Sequence, residues 1–256
     1  RIDNQSSATH TINFPIIVNS GGTWNLELAT NNASTGKLVF SSGATISNNS
    51  SKVLFIYGNS TTNSDRYVEL DGVISGNGSF QIKLGGIARI GANHIYTGST
   101  NIEHGELWID NGGDISLTSS INLGLSSNMI SVAKIFISDI DGGTTFARNI
   151  AVSDGNSLTR YIGAFNSSGI NYFSGLISRS GSNNLCLESV NMNGTIAFTN
   201  EINGTGEVLK IGSGIVVLSG ANTYSGLTTI NSGILQLNRT GGGTLPSGNS
   251  ITVNNN

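Results

Sequence analysis

Two stretches of this 256-residue chain repeat one another. Gly76–Asp110 reads GNGSFQIKLGGIARIGANHIYTGSTNIEHGELWID, Gly204–Asn238 reads GTGEVLKIGSGIVVLSGANTYSGLTTINSGILQLN, and they superpose without a gap at an offset of 128. Ten positions are identical, where composition alone gives about three. They are Gly76/Gly204, Gly78/Gly206, Gly86/Gly214, Ile87/Ile215, Tyr96/Tyr224, Gly98/Gly226, Thr100/Thr228, Ile102/Ile230, Gly105/Gly233 and Leu107/Leu235. Fixed self-similarity is the signature of architectures that grow by adding units.

The match continues upstream at the same offset through Val68/Ile196, Leu70/Phe198 and Ile74/Ile202, alternating as a strand does. Further back, Pro15–Gly21 resembles Asn149–Gly155 and Phe40–Ser47 resembles Phe173–Ser178 at slightly larger offsets, the drift that loop insertions produce. The chain is therefore expected to be one body made of two tandem units, about 12–133 and 146–256.

Within each unit, glycine-bounded runs of about 4–8 alternating residues follow one another every ~8–10 residues. Gly214–Gly220, Leu227–Asn231 and Ile234–Asn238 are three in succession. No stretch of Ala, Leu, Glu and Lys sustains a 3.6-residue period, whereas threonine, valine and isoleucine suit pleated surfaces. Three such strands make a coil of roughly 20–25 residues, the size of a parallel β-helix rung. No ~40–50-residue period marks the blades of a propeller. The expectation is an all-β parallel β-helix of about 11–12 rungs. One side-chain parity then faces a narrow core: Ile230, Leu235 and Leu237 inward, Thr229, Gln236 and Asn238 outward. Gly220, Gly226 and Gly233 belong at corners, and the amides of Asn222 and Asn231 can bond the backbone or form ladders between rungs. Tyr96 and Tyr224 should occupy equivalent corners.

Composition removes several function classes. Charged residues make up 11% of the chain and the net charge is −3, so no basic stripe is available to neutralise nucleic acid. No apolar run approaches the ~20 residues of a membrane span, and the first residues have no charged-then-apolar signal pattern. The single cysteine, Cys186, sits between two leucines and reads as a buried small hydrophobe, so disulfides do not hold this fold.

The run Gly214-Ile-Val-Val-Leu-Ser-Gly-Ala-Asn-Thr-Tyr-Ser-Gly226, continued to Leu237 and preceded by Lys210 and Gly212, closely resembles the passenger-associated transport repeat of bacterial autotransporter adhesins. The first copy departs from it, with Ile95 in place of Thr223 and Arg89 in place of Val217. The resemblance implies a right-handed parallel β-helix, export through a bacterial envelope and a place on the cell surface or outside the cell. It implies no particular activity. Members held to an outer membrane carry a translocator barrel that this sequence does not include.

Candidates for chemistry are sparse. Glycoside hydrolysis needs two carboxyl groups about 5–9.5 Å apart. The acids cluster as Asp65, Glu69 and Asp71; Glu103 and Glu106; and Asp139 and Asp141. Glu69 and Asp71 share one strand face, about 7 Å apart by strand geometry, but acids on a solvated face are the commoner case. Asp139-Ile-Asp-Gly-Gly143 resembles part of a calcium loop without its remaining ligands and reads better as a polar turn. His10, His94 and His104 have no metal-ligand spacing, and Asn222 and Ser232 replace the last two in the second copy. Neither a cofactor nor a metal is expected.

Trp108 is the most informative side chain, because by parity its indole faces outward between Leu107 and Ile109, where the second copy has Gln236. It can stack on a sugar or dock on a protein, or be partly covered by its neighbours. The leading expectation is a non-enzymatic β-helical stalk segment, with a polysaccharide-active enzyme or a glycan-binding module as alternatives. Its partners would be neighbouring rungs or identical subunits end to end, and a glycan or host surface. The segments Ile2–Ile12 and Thr244–Val253 carry no helical cap, so the chain is expected to continue into further rungs or to stack in a filament.

Overall fold

The computed structural model describes all residues except 19–25, 31–35, 50–51, 59–65, 116, 125–131, 154–158, 239–243 and 255–256. Among the described residues every regular element is a strand, and every strand pairing within the sheets is parallel. The chain divides into two compact units, Arg1–Asn122 and Leu123–Asn256.

In the first unit the strands fall on three faces in strict rotation. Ile2–Asn4, Leu26–Thr30, Val53–Gly58, Ser79–Lys83 and Thr100–Ile102 make the first face. The second is built from His10–Ile12, Leu38–Phe40, Val68–Leu70, Gly86–Ile90 and Gly105–Ile109. Ile16–Val18, Ile46–Asn48, Ile74–Gly76 and Ile95–Tyr96 form the third. Each strand pairs in register with its counterpart one turn later, as Ile82 does with Ile102 and Leu70 with Ile90. That is a parallel β-helix.

The second unit has the same plan. One face runs through Ala133–Ile137, Arg160–Ala164, Leu185–Ser189, Val208–Ile211, Thr228–Ile230 and Ile251–Val253. Another runs through Thr145–Phe146, Ile170–Phe173, Thr195–Phe198, Ile215–Leu218 and Ile234–Leu237.

Alternation along each strand builds the core. Leu107 and Ile109 are fully buried, as are Val216 and Leu218, while the residues between them are not. Like side chains stack from rung to rung: the rings of Phe173 and Phe198 lie 5.5 Å apart and parallel, and Phe146 meets Phe173 edge-on at 5.6 Å. Such stacks remove large apolar areas from water, at about 25 cal/mol per Å². Leu235 and Leu237 keep the inward parity but are only half-buried, because theirs is the last strand of its face among the described residues. Thr229 keeps the outward parity yet is buried, its hydroxyl donating to the Glu207 carboxylate.

The repeat superposes real elements. Tyr96 and Tyr224 are both buried, and their hydroxyls meet Thr100 and Thr228 at 2.5 and 2.7 Å. In the first copy the chain of hydrogen bonds runs on through Thr118 to the carbonyl of Gly98; in the second it runs through Asn249 to the carbonyl of Gly226. Both glycines sit where rungs touch, so that a Cβ on Gly98 would lie 2.3 Å from the Gly78 carbonyl oxygen and one on Gly226 would lie 2.2 Å from that of Gly206.

One corner is strained in the first copy alone. Leu84 stands where the second copy has Gly212, and both have positive φ, 52° and 74°. The left-handed region costs an ordinary L-residue roughly 1–2 kcal/mol, and Leu84 is 61% exposed, so packing returns little. Leu84→Asn, a residue that tolerates this region, is expected to stabilise the fold by about 1 kcal/mol. A thermal melt with an unchanged or lower midpoint would refute the strain.

Candidate functional site

The residues that drew attention in the sequence gather on the outer side of the second face of the first unit. Parallel register sets Val39, Glu69, Arg89 and Trp108 in one row across four strands. Trp108 points outward between the buried Leu107 and Ile109, and is half-buried rather than bare. Its ring lies 6.0 Å from that of Tyr67 at a 42° tilt, and its indole N–H donates to Glu106 Oε2 at 2.9 Å.

Cations flank this aromatic pair. Lys37 Nζ sits 4.6 Å from the centre of the Tyr67 ring. Arg89 donates from Nε to Asp110 Oδ2 at 2.5 Å and from Nη1 to the Tyr67 hydroxyl at 3.2 Å. Burial works against the Arg89 charge, but the hydrogen bond and attraction from Asp110 outweigh it and raise its pKa. Glu69 is pushed upward by burial and then by Asp71, and Asp71 by burial and then by Asp110. Tyr67 itself is buried beneath these cations, so the surface offers one half-buried ring, Trp108, with two cations and a surplus of carboxylates, suited to holding a ligand that brings a stacking face and donor groups.

The other candidates are used locally. Glu103 is buried, accepts from Gln81 at 2.8 Å and lies 3.3 Å from Lys83. Asp139 turns its carboxylate on the Asp141 N–H at 3.3 Å and the Thr144 hydroxyl at 2.8 Å, which makes the segment a polar turn. Asp65 lies outside the described residues. Cys186 is buried, and burial pushes its thiol up to about 12. Among the described residues no group of three or more His, Cys, Asp or Glu is placed to hold a metal ion.

The repeat-defining glycines recur in matching backbone settings. Gly76 and Gly204 share positive φ, as do Gly105 and Gly233, and Gly78, Gly86, Gly206 and Gly214 each abut a neighbouring rung.

Asn222 bonds the backbone at a corner as its amide suggested, but two buried cations that tie the corners, Arg179 and Lys210, were missed in the sequence. Arg179 donates to the carbonyls of Asn203, Asn183, Glu207 and Gly206 and covers the Tyr224 ring at 5.5 Å. Lys210, 1% exposed, gives its ammonium to the carbonyls of Ile211, Gly212 and Ser232 at 2.7–2.9 Å, and burial lowers its pKa to about 8. His94 and Asn222 do the same work at equivalent positions: His94 Nδ1 accepts from the Ile74 N–H and Asn222 Oδ1 from the Ile202 N–H, both at 3.0 Å. The available signal was Lys210, whose inward parity demanded partners.

The model of the passenger-associated-transport-repeat family matches residues 208–237, a stretch that includes Lys210, Tyr224 and Gly226. The second unit carries that repeat. A relative, the Adhesin BmaC autotransporter of Brucella suis biovar 1 (strain 1330), is 26% identical over 168 residues, covering 62% of this chain and 5% of that protein. The chain thus spans a small fraction of the relative's length. No solved structure matches. The repeat and the relative together support an autotransporter passenger domain with passenger-associated transport repeats.

Proposed function

We propose that this chain is a non-enzymatic segment of a bacterial surface adhesin, a stiff β-helix that holds outer-face contact residues away from the cell. The observation that carries this reading is the rung-to-rung register, closed at its corners by buried Arg179, Lys210 and Asn222, in a chain that bears a passenger-associated transport repeat. In such a solenoid each rung bonds the next, so length and stiffness come from repetition. The outward Trp108, backed by the buried Tyr67, is the adhesive contact in the first unit.

Beads coated with the chain are expected to adhere to cultured epithelial cells or glass above blank beads. The pair of substitutions Trp108→Ala and Arg89→Ala should lower adhesion several-fold with a similar circular dichroism spectrum. Equal adhesion of coated and blank beads would remove the adhesin reading. The raised pKa values of Glu69 and Asp71 motivate a check for hydrolysis; incubation with polysaccharides should release no reducing ends, and release abolished by Glu69→Gln would establish an enzyme instead.

A further inference from the structure

The 128-residue offset that defines the repeat also carries the Trp108 platform onto the second unit. Glu69 corresponds to Ala197, Arg89 to Val217 and Trp108 to Gln236; Asp71 and Asp110 correspond to Thr199 and Asn238. These counterparts lie together on the outer side of one face, with Tyr172, Ala197, Val217 and Gln236 in a single in-register row. Where the first unit fills the surface with large charged and aromatic side chains, the second leaves a groove of about 530 Å³. That volume lies in the usual range of ligand sites, about 300–1,000 Å³.

The groove has two unlike walls. Ile170 and Ile215 belong to a mainly aliphatic row, interrupted by Thr195, that ends at the exposed Ile234. On the opposite wall Thr199, Ser219 and Asn238 present hydroxyl and amide groups. The floor is Ala197 and Val217, with Tyr172 half-exposed at one end, and among the described residues no Asp, Glu, His, Lys or Arg lines it. We infer that this groove is a binding site for a linear run of uncharged sugars on the surface to which the protein attaches, an inference that rests on the adhesin reading.

Three features favour that occupant. An uncharged groove would strip water from a charged ligand without pairing it. A sugar chain offers C–H faces to the isoleucine wall and hydroxyl edges to the other. A peptide laid across the groove would gain no backbone pairing, because the strands beneath bond one another in the plane of the sheet and, among the described residues, leave only the edge of Ile234–Leu237, to one side of the groove, open. A second copy is a poor fit, since a concave surface does not complement itself.

The test is calorimetric titration of the whole chain with cellohexaose, laminarihexaose and maltohexaose, with hexagalacturonate as the anionic control. At least one neutral probe is expected to bind and hexagalacturonate to bind at least tenfold more weakly. Ala197→Glu should abolish binding by placing a charge on the floor. Should that variant misfold, Tyr172→Ala and the exposed pair Thr199→Ala with Gln236→Ala should each weaken binding at least tenfold, while Trp108→Ala should not. Binding of none of the neutral probes, preference for the anionic one, or binding lost with Trp108→Ala would overturn the inference. So would a concentration-dependent dimer by ultracentrifugation that Ala197→Glu returns to monomer. Beads that adhere while no neutral probe binds would sink the groove alone, and beads that do not adhere would sink the adhesin reading.

Discussion

Between pH 6.5 and pH 4 the first unit should lose about 3 kcal/mol of stability through His94, and His94→Asn should lose little of it. His94 is fully buried, its Nδ1 accepts the Ile74 N–H, and burial lowers its pKa from 6.5 to about 4. Nε2 then carries the proton, and it has no hydrogen-bond partner. A folded-state pKa below the unfolded one means that the unfolded chain takes up the proton first as pH falls. The stability is complete above 6.5, declines through the window and levels off below about 4. The Asp114 carbonyl accepts the backbone N–H of His94 rather than a ring N–H, and the Tyr96 ring stands 6.4 Å from the imidazole. His104 is also lowered by burial, and the raised pKa values of Glu69 and Asp71 act with the opposite sign. The difference between wild type and variant therefore isolates His94. Asparagine suits the position because Asn222 accepts the Ile202 N–H in the second copy and gives its amide to the carbonyls of Gly220 and Thr244. Urea midpoints at pH 7 and pH 4, followed by tryptophan fluorescence, decide the matter; equal acid shifts in both proteins would exclude His94 as the cause.

A single methyl group at Gly226 is expected to cost about 3 kcal/mol, the top of the usual range for overpacking. The new Cβ would sit 2.2 Å from the Gly206 oxygen, 2.3 Å from its carbonyl carbon and 2.7 Å from the Glu207 nitrogen, all backbone of the adjacent rung. No side chain can swing aside, so the rungs must part. That strains the Asn249 bond to the Gly226 carbonyl and, through Thr228, the seat of the Tyr224 hydroxyl. Gly98→Ala should behave alike, because its contact with the Gly78 carbonyl oxygen is 2.3 Å. Ser225→Ala, next to the critical position, should be nearly silent. Denaturation of Gly226→Ala within about 1 kcal/mol of wild type would show that the rungs yield more easily than tightly packed backbone normally does.

The recurrence of Tyr96 and Tyr224, Thr100 and Thr228, and the glycines at matching corners was legible because each corner is built from residues only a few positions apart. A tyrosine four residues before a threonine meets it in both copies. Strand parity was legible for the same reason, down to the outward side of Trp108. What the sequence could not convey is who lies beside whom on the next rung. Gly86 pairs with Gly105, 19 residues on, whereas Leu26 pairs with Leu54, 28 residues on. Rung length follows its loops rather than a period. Tyr67 beside Trp108, Arg179 over Tyr224, and the groove floored by Ala197 and Val217 all depend on that stacking. The local sequence determined the parallel coil, its inward stripe and its corner chemistry, since these depend on backbone sterics and side-chain alternation within a few residues. Only the tertiary structure decided which outer faces are filled and which are open, since that is set by side chains brought together across rungs.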